Sequence, residues 1–430
     1  MIVKTETLPF IQAFRARPRG TEPAWLTAHR EASLARFGEL GFPSRREEAW
    51  RFTDLRPLQR VTWGEEGDFS GGAGRLSKLG EPTYRLVLQS GLVVAELSEI
   101  GSLPAGVWLA SIERTLAERP DLVGDAIEAS DTSGKQPFAS LNAALFDTGF
   151  VLAVDRGVAL DRPIEIVHLN VDRVKRPLYF RNLVRLDAES RATVIESYQG
   201  VGTYWTNAVT ALHLGNGAAL THARVQGEWA EAMHFAVTRA RLAKNARWDS
   251  FSLTTGARLS RHDIVARMEG EGAKLALNGA YLIRGEQEAT TAIVVDHAAP
   301  GGTTREVWKG VVDERAHGVF LGTIQVRPHA QKTDAYQLNK NLLLSRRAHV
   351  DTKPELEILA DDVKCSHGAT VGDLDENALF YLRARGIAEG EARRMLIEAF
   401  AADALDEVEN VALRRYLAGH VQTWLNPEQP

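Results

Sequence analysis

Along this chain the spacing of apolar residues changes twice, from a helical period to an alternating one and back again. Near the start, Trp25, His29, Ala32, Arg36 and Leu40 follow an i, i+3, i+4 track with Leu26 and Phe37 beside it. That track predicts a helix beginning near Pro23. Gly41 and then Phe42-Pro43 form its stop: glycine can take a left-handed cap, phenylalanine can pack back, and proline cannot continue the helix. An earlier short helix is predicted from Thr7 as cap, Pro9 in the first turn, and Phe10, Ile11 and Phe14 on one face. A third is predicted over Arg45 to Leu55. Trp63 to Gly80, with six glycines, reads as a linker or loop.

From about Tyr84 the period becomes two. Arg85-Leu-Val-Leu-Gln89, Ile164-Glu-Ile-Val-His168 and Ile264-Val-Ala-Arg-Met268 are short, β-branched, alternating segments broken by Gly, Asn and Asp. Helical periodicity fades between about residues 162 and 344. Within this region a turn pattern recurs, from Leu186 to Val194, Leu214 to Leu220, Leu242 to Trp248 and Met268 to Leu275. Its closing apolar residues are separated by 26, 28 and 27 residues. A near-constant period in β sequence favours stacked solenoid rungs. A sandwich of hairpins, whose strands recur every ~8–12 residues, fits the same spacing.

Helical spacing returns after Gly372. Asp375 can cap a helix ending at Gly386, with Ile387 packing back. A second helix spans about Glu389 to Val408, with Ala392, Met395, Leu396, Ala399 and Phe400 as its apolar stripe. A third carries Leu413, Leu417, Val421 and Trp424 on one face and ends at Asn426-Pro427. These helices could cap the solenoid or dock a partner.

Charge adds little. Asp plus Glu is 56 and Lys plus Arg 51, a formal net charge of −5, so no basic surplus points to nucleic acid. The N-terminus lacks a basic segment followed by an apolar one, and no apolar run approaches the ~18 residues that span a bilayer. One cysteine, Cys365, excludes an internal disulfide. A reducing, cytosolic setting is expected.

The sharpest chemical feature is Lys364-Cys365-Ser366-His367-Gly368. Residues two apart on a strand share a face, ~6–7 Å apart. Thiolate and imidazole together suit iron, zinc or copper, yet they are half of a tetrahedral set, and no second cysteine exists to complete it. The competing interpretation is a free thiol beside a loop histidine. His329 to Lys340 gathers a base, an acid and cations, and reads as a strand whose polar side faces solvent or a neighbouring chain. Asp361 and Asp362 are adjacent and so point to opposite faces of a strand. There is no phosphate loop, no HExxH and no G-x-S-x-G elbow. Trp25, Trp50 and Trp229 are expected to be packing residues.

Four ordered segments then bear a family resemblance: Asp334-Ala-Tyr-Gln-Leu-Asn-Lys-Asn-Leu-Leu-Leu344, Lys353-Pro-Glu-Leu-Glu-Ile358, Asp361-Asp-Val-Lys-Cys-Ser-His-Gly-Ala-Thr-Val-Gly372 and Leu379-Phe-Tyr-Leu-Arg-Ala-Arg-Gly-Ile387. Together they resemble the C-terminal half of SufB/SufD proteins. Phe42-Pro-Ser-Arg-Arg-Glu-Glu-Ala-Trp-Arg-Phe-Thr-Asp54 resembles a segment of the SufD branch, as does the scarcity of cysteine. The resemblance implies a mainly β fold with helical ends: a right-handed parallel β-helix (solenoid) core flanked by N- and C-terminal helical domains. The expected divisions are residues 1–80 (helices and linker), 81–350 (β-helix core) and 351–430 (ligand strand, then helices that dock an ATPase).

It further implies a non-enzymatic scaffold of the SUF iron–sulfur cluster assembly complex, which pairs with a SufB-like subunit and binds a SufC-like ABC ATPase. A transient iron–sulfur cluster or iron would sit at the interface of the two scaffold subunits, none being tightly bound by the isolated chain, which could pair with itself. His367, with Cys365, would be this chain's ligand there. The alternative from another class is a carbohydrate-active β-helix enzyme using His329 to Lys340. Such enzymes are usually exported, and nothing here directs export. A bare interaction module is a third option.

Overall fold

The computed structural model describes residues 22–65, 78–124 and 136–426, with positions 11, 12, 15 and 127. The helix expected from Thr7, with its faces at Phe10 and Phe14, and most of the glycine-rich stretch after Trp63 lie outside the described residues. The centre is a parallel β-solenoid. Two sheets of 10 and 9 strands face each other, and from Phe150–Val154 onward consecutive strands alternate between them. Each of these strands therefore pairs in parallel with the next but one, as in Trp205–Leu214, Met233–Leu242 and Leu259–Met268.

The register explains the repeat. Ala192, Leu220, Trp248, Leu275, Thr304, Ala335 and Cys365 form one column, in steps of 28, 28, 27, 29, 31 and 30 residues. Val194, which closes the first of the recurring turn patterns, pairs instead with His222, two positions beyond Leu220. The period is set at the turns. Glu189, Gly217, Asn245, Gly272, Gly301 and Lys332 all have φ between 56° and 70°. Each donates its N–H to a carbonyl in the following turn, as Gly217 does to Lys244 (2.8 Å) and Lys332 to Asp362 (2.7 Å). Left-handed backbone is cheap for Gly and tolerable for Asn, hence the Gly and Asn of the recurring turn pattern.

Alternate residues point inward and form one continuous apolar interior, including Val194, Leu220, Trp248, Leu275, Trp308 and Phe320. Part of each outer face is covered by the flanking helices. The helix Ala24–Leu40 ends at Gly41 (φ 67°), whose N–H bonds Phe37 O. Its buried face is Leu26, Arg30, Ser33 and Phe37, while Ala32 and Arg36 are exposed. The predicted track was thus one position off, because a charged residue sits at the centre of the contact. Arg30 donates to Ala144 O and Phe146 O at 3.1 and 2.8 Å and pairs with Glu22 at 3.1 Å. Arg45 to Leu55 is not one helix: only Glu48–Trp50 makes a 3-10 turn, and a short helix follows at Arg56–Arg60. Trp50 stacks edge-on against Phe138 (5.4 Å) under the Arg261 guanidinium (3.9 Å), which suits a rigid turn.

At the other end the helices Glu376–Ala384, Glu389–Leu405 and Val411–Leu425 match expectation in order and capping. Asp375 accepts the Asn377 and Ala378 N–H groups, and Gly386 (φ 85°) ends the first. The stripe of the second differs: Ala392, Ile397, Ala401, Ala404 and Leu405 are buried, while Met395 and Ala399 are exposed. The last two helices lie along the flank of the first sheet. Leu413, Leu417 and Val421 pack there against Phe251, Leu253, Ala280 and Val311. Lys309 pairs with Asp403, and Arg305 with Glu407 at 3.2 Å. The helices are therefore side cladding, not an end cap. Trp25 and Trp50 pack as expected, but Trp229 is 45% exposed.

Candidate functional site

The solenoid's last rung is formed by His349–Ile358 in one sheet and Lys364–Gly372 in the other, each the terminal strand of its sheet. Lys364 N–H bonds Thr333 O at 2.9 Å, so alternate N–H groups from Lys364 face the preceding strand. Those of Cys365, His367 and Ala369 face the unpaired edge. Among the described residues, nothing pairs with that edge.

Cys365 and His367 do share a face, as their spacing predicts. Their register partners, Ala335 and Gln337, are both inward-facing and buried. Because no further rung covers them, Cys365 is half-buried against the interior cluster and His367 is exposed. Burial pushes the Cys365 thiol up, aided by the Asp334 charge and opposed by a hydrogen bond to the Ala335 backbone. The thiol is thus not activated by its own chain, since reactivity follows thiolate content. Asp361 and Asp362 lie in the turn before this strand. Asp361 accepts from Gln331 Nε2 at 2.8 Å and Asp362 pairs with Lys332, so neither joins the thiol.

Beneath His367 runs a ladder that its sequence neighbours did not disclose. Gln337 Nε2 donates to Glu306 Oε2 at 2.8 Å, and both side chains are fully buried. Burial pushes the Glu306 carboxyl up to about 8, the Gln337 bond only partly offsetting it. Asn341 Nδ2 donates to Asn339 Oδ1 at 2.6 Å, and Asn339 to Trp308 O at 3.3 Å. The polar residues of His329 to Lys340, expected on a side facing solvent or a neighbouring chain, are divided: His329, Lys332 and Asp334 are exposed, whereas Gln337 and Asn339 are buried, as is Asn341 just beyond.

A second polar group sits deeper in the solenoid. Glu196 meets His222 at 3.1 Å, and Glu228 meets His234 at 2.6 Å and Thr206 at 2.7 Å. Burial alone would raise Glu196, but its hydrogen bond to His222 and the His222 and His168 charges carry it below the ordinary carboxylate value. Burial lowers His168 to about 4, against the pull of Glu196. The two carboxylates thus hold histidine partners, whereas neither ring nitrogen of His168 is hydrogen-bonded among the described residues and its ring stacks on Tyr198 at 4.4 Å. Their only sequence signal is a charged residue at an inward parity.

The chain is thus a helix-flanked parallel solenoid whose last rung leaves a thiol and an imidazole uncovered on its inner face. Residues 170–400 match the family described as SUF system FeS cluster assembly, SufBD core domain, and residues 81–166 match the SufBD protein N-terminal region. The chain belongs to the SufBD family of iron–sulfur cluster assembly proteins. It is 33% identical over 427 residues to an iron–sulfur cluster assembly SufBD family protein of Synechocystis sp., covering 96% of this chain and 94% of that one. It is 30% identical over 387 residues to the iron–sulfur cluster assembly protein SufD of Escherichia coli, covering 89% of each. Identity to the SufD protein of Bacillus subtilis is 25%, over 93% of this chain and 94% of that protein. No helix among the described residues is long and apolar enough to cross a membrane.

Proposed function

We propose that this chain is the SufD-type scaffold subunit of a cytosolic cluster assembly complex and has no catalytic activity of its own. Its last rung pairs with a SufB-like subunit, and His367 and Cys365 contribute to the nascent cluster, which is cargo held across the interface. The observation carrying this proposal is the unpaired terminal strand with both donors on its inner face. Two donors are half of a tetrahedral set, so a second chain is needed to complete it. An open edge is the surface to which another strand adds.

The helix Glu376–Ala384 is the proposed seat of a SufC-like ATPase. Phe380 and Tyr381 are 74% and 57% exposed on it, with the Arg385 guanidinium 3.6 Å above the Tyr381 ring. On this proposal residues 1–80 are the N-terminal helical region and linker, residues 81–350 the β-helix core, and residues 351–430 the ligand strand and the helices that dock the ATPase.

The test is co-expression with SufB-like and SufC-like partners, purification, and anaerobic reconstitution with iron and sulfide. The wild-type complex is expected to develop the visible absorption of an iron–sulfur cluster, and His367→Ala to form the same complex without it. A colourless wild-type complex would sink the scaffold proposal, and full colour in His367→Ala would remove the ligand role.

A further inference from the structure

We propose that the outer face of the second sheet carries a separate binding site for a first-row divalent metal ion, built from His317, His349 and Asp351. The three side chains come from the strands His317–Val326 and His349–Ile358, which pair with His317 beside His349 and Val319 beside Asp351. Phe320, of opposite parity to His317, points into the interior. The three residues therefore share the outward face, Asp351 two residues beyond His349.

The geometry converges on one point. His317 Nε2 is 2.8 Å and His349 Nε2 3.3 Å from the same atom, Asp351 Oδ2. All three donor atoms lie within 4.8 Å of one another. Ligands bound ~2.0–2.1 Å from a zinc-like ion sit about 3.3 Å apart, so an ion can enter with small side-chain rotations. Two imidazoles and one carboxylate are a borderline donor set that suits Fe, Co, Ni or Zn over Mg or Ca. Solvent reaches the site from one side, with His349 66% exposed and His317 and Asp351 at 22% and 27%. Water can thus fill the remaining coordination positions. Glu288, in register with His317 on the preceding strand, is engaged by the Asp54 N–H at 3.2 Å and frames the closed side.

This site is distinct from the terminal donors. Cys365 and Ile358 both pack against the interior cluster, Cys365 just past the turn that follows Ile358, at the far end of the strand that begins at His349. The seven steps from Asp351 to Ile358 span about 23 Å. The proposal does not depend on the cluster assembly reading.

The experiment uses the untagged full chain carrying Cys365→Ser and His367→Ala, so that the terminal donors are silent. Titration with Co2+, followed by visible absorption and by calorimetric competition with Zn2+, is expected to show one equivalent bound through nitrogen and oxygen ligands. Adding His349→Ala or Asp351→Ala should weaken binding by about tenfold or more, since even outer-sphere partners of a metal ligand are worth that much. Failure of the double variant to bind, or binding that neither further substitution weakens, overturns the proposal. Circular dichroism of each variant confirms the fold, and His349, being exposed, can be replaced without opening the core.

Discussion

At the scale of single residues, Glu306 is the buried acid under the terminal donors, its carboxyl accepting from Gln337, the register partner of His367. Cys365 and His367 share a face because a strand alternates with period two, which any sequence shows. Glu306 lies 31 residues from its partner Gln337, and only the register of the rungs brings them together. Its carboxyl, pushed up to about 8 from an ordinary 4.5 by burial, stays protonated in the folded chain at neutral pH. The unfolded chain gives up that proton near 4.5, so its stabilising contribution is complete below that value. It fades as pH rises toward 8, by up to about 1.4 kcal/mol per pH unit. Glu306→Gln mimics the neutral acid. We expect it to match the parent in denaturant unfolding at pH 5 and to be more stable at pH 8. Equal differences at both pH values would mean that Glu306 is ionised in the fold.

At the scale of elements, the free edge of Lys364–Gly372 makes a specific prediction. Ala369 N–H points away from the preceding strand, so Ala369→Pro removes an edge donor without breaking the solenoid's own ladder. The isolated chain should keep its thermal midpoint within a few degrees and lose binding to a SufB-like subunit in pull-down. Pro at Gly368, whose N–H faces inward along the ladder, should instead lower stability. Equal behaviour of the two would deny strand addition at this edge. The solenoid period could be seen in the sequence because left-handed turn residues recur. Helix faces were harder to place. The Ala24–Leu40 helix buries Arg30 and Ser33, and the Glu389–Leu405 helix exposes Met395, so in both the hydrophobic pattern and the buried face disagree.

At the scale of the molecule, the C-terminal helices are both cladding and proposed docking surface, and the two roles separate by residue. Leu417 is fully buried against the first sheet, so Leu417→Ala should cost about 2–5 kcal/mol and lower the unfolding midpoint. Removing everything after Gly372 would bare Phe251 and Leu253 as well, and so confound loss of ATPase binding with loss of stability. Phe380→Ala with Tyr381→Ala touches only exposed rings. It should leave the midpoint unchanged and abolish co-purification of a SufC-like ATPase. Retained ATPase would place that contact elsewhere.

The two ends of the solenoid differ in kind. At the first end the outermost strands, Leu92–Val93 and Val107–Ser111, are short and antiparallel to their neighbours, a form that discourages further pairing. At the last end both sheets stop on long parallel strands whose outer edges are unpaired among the described residues. A body that can join through one end only has a valence of one. On the proposed pairing, stacking through that end closes a pair and leaves no second end for strand addition, so the same stacking that could have extended into a fibre is confined to a finite assembly.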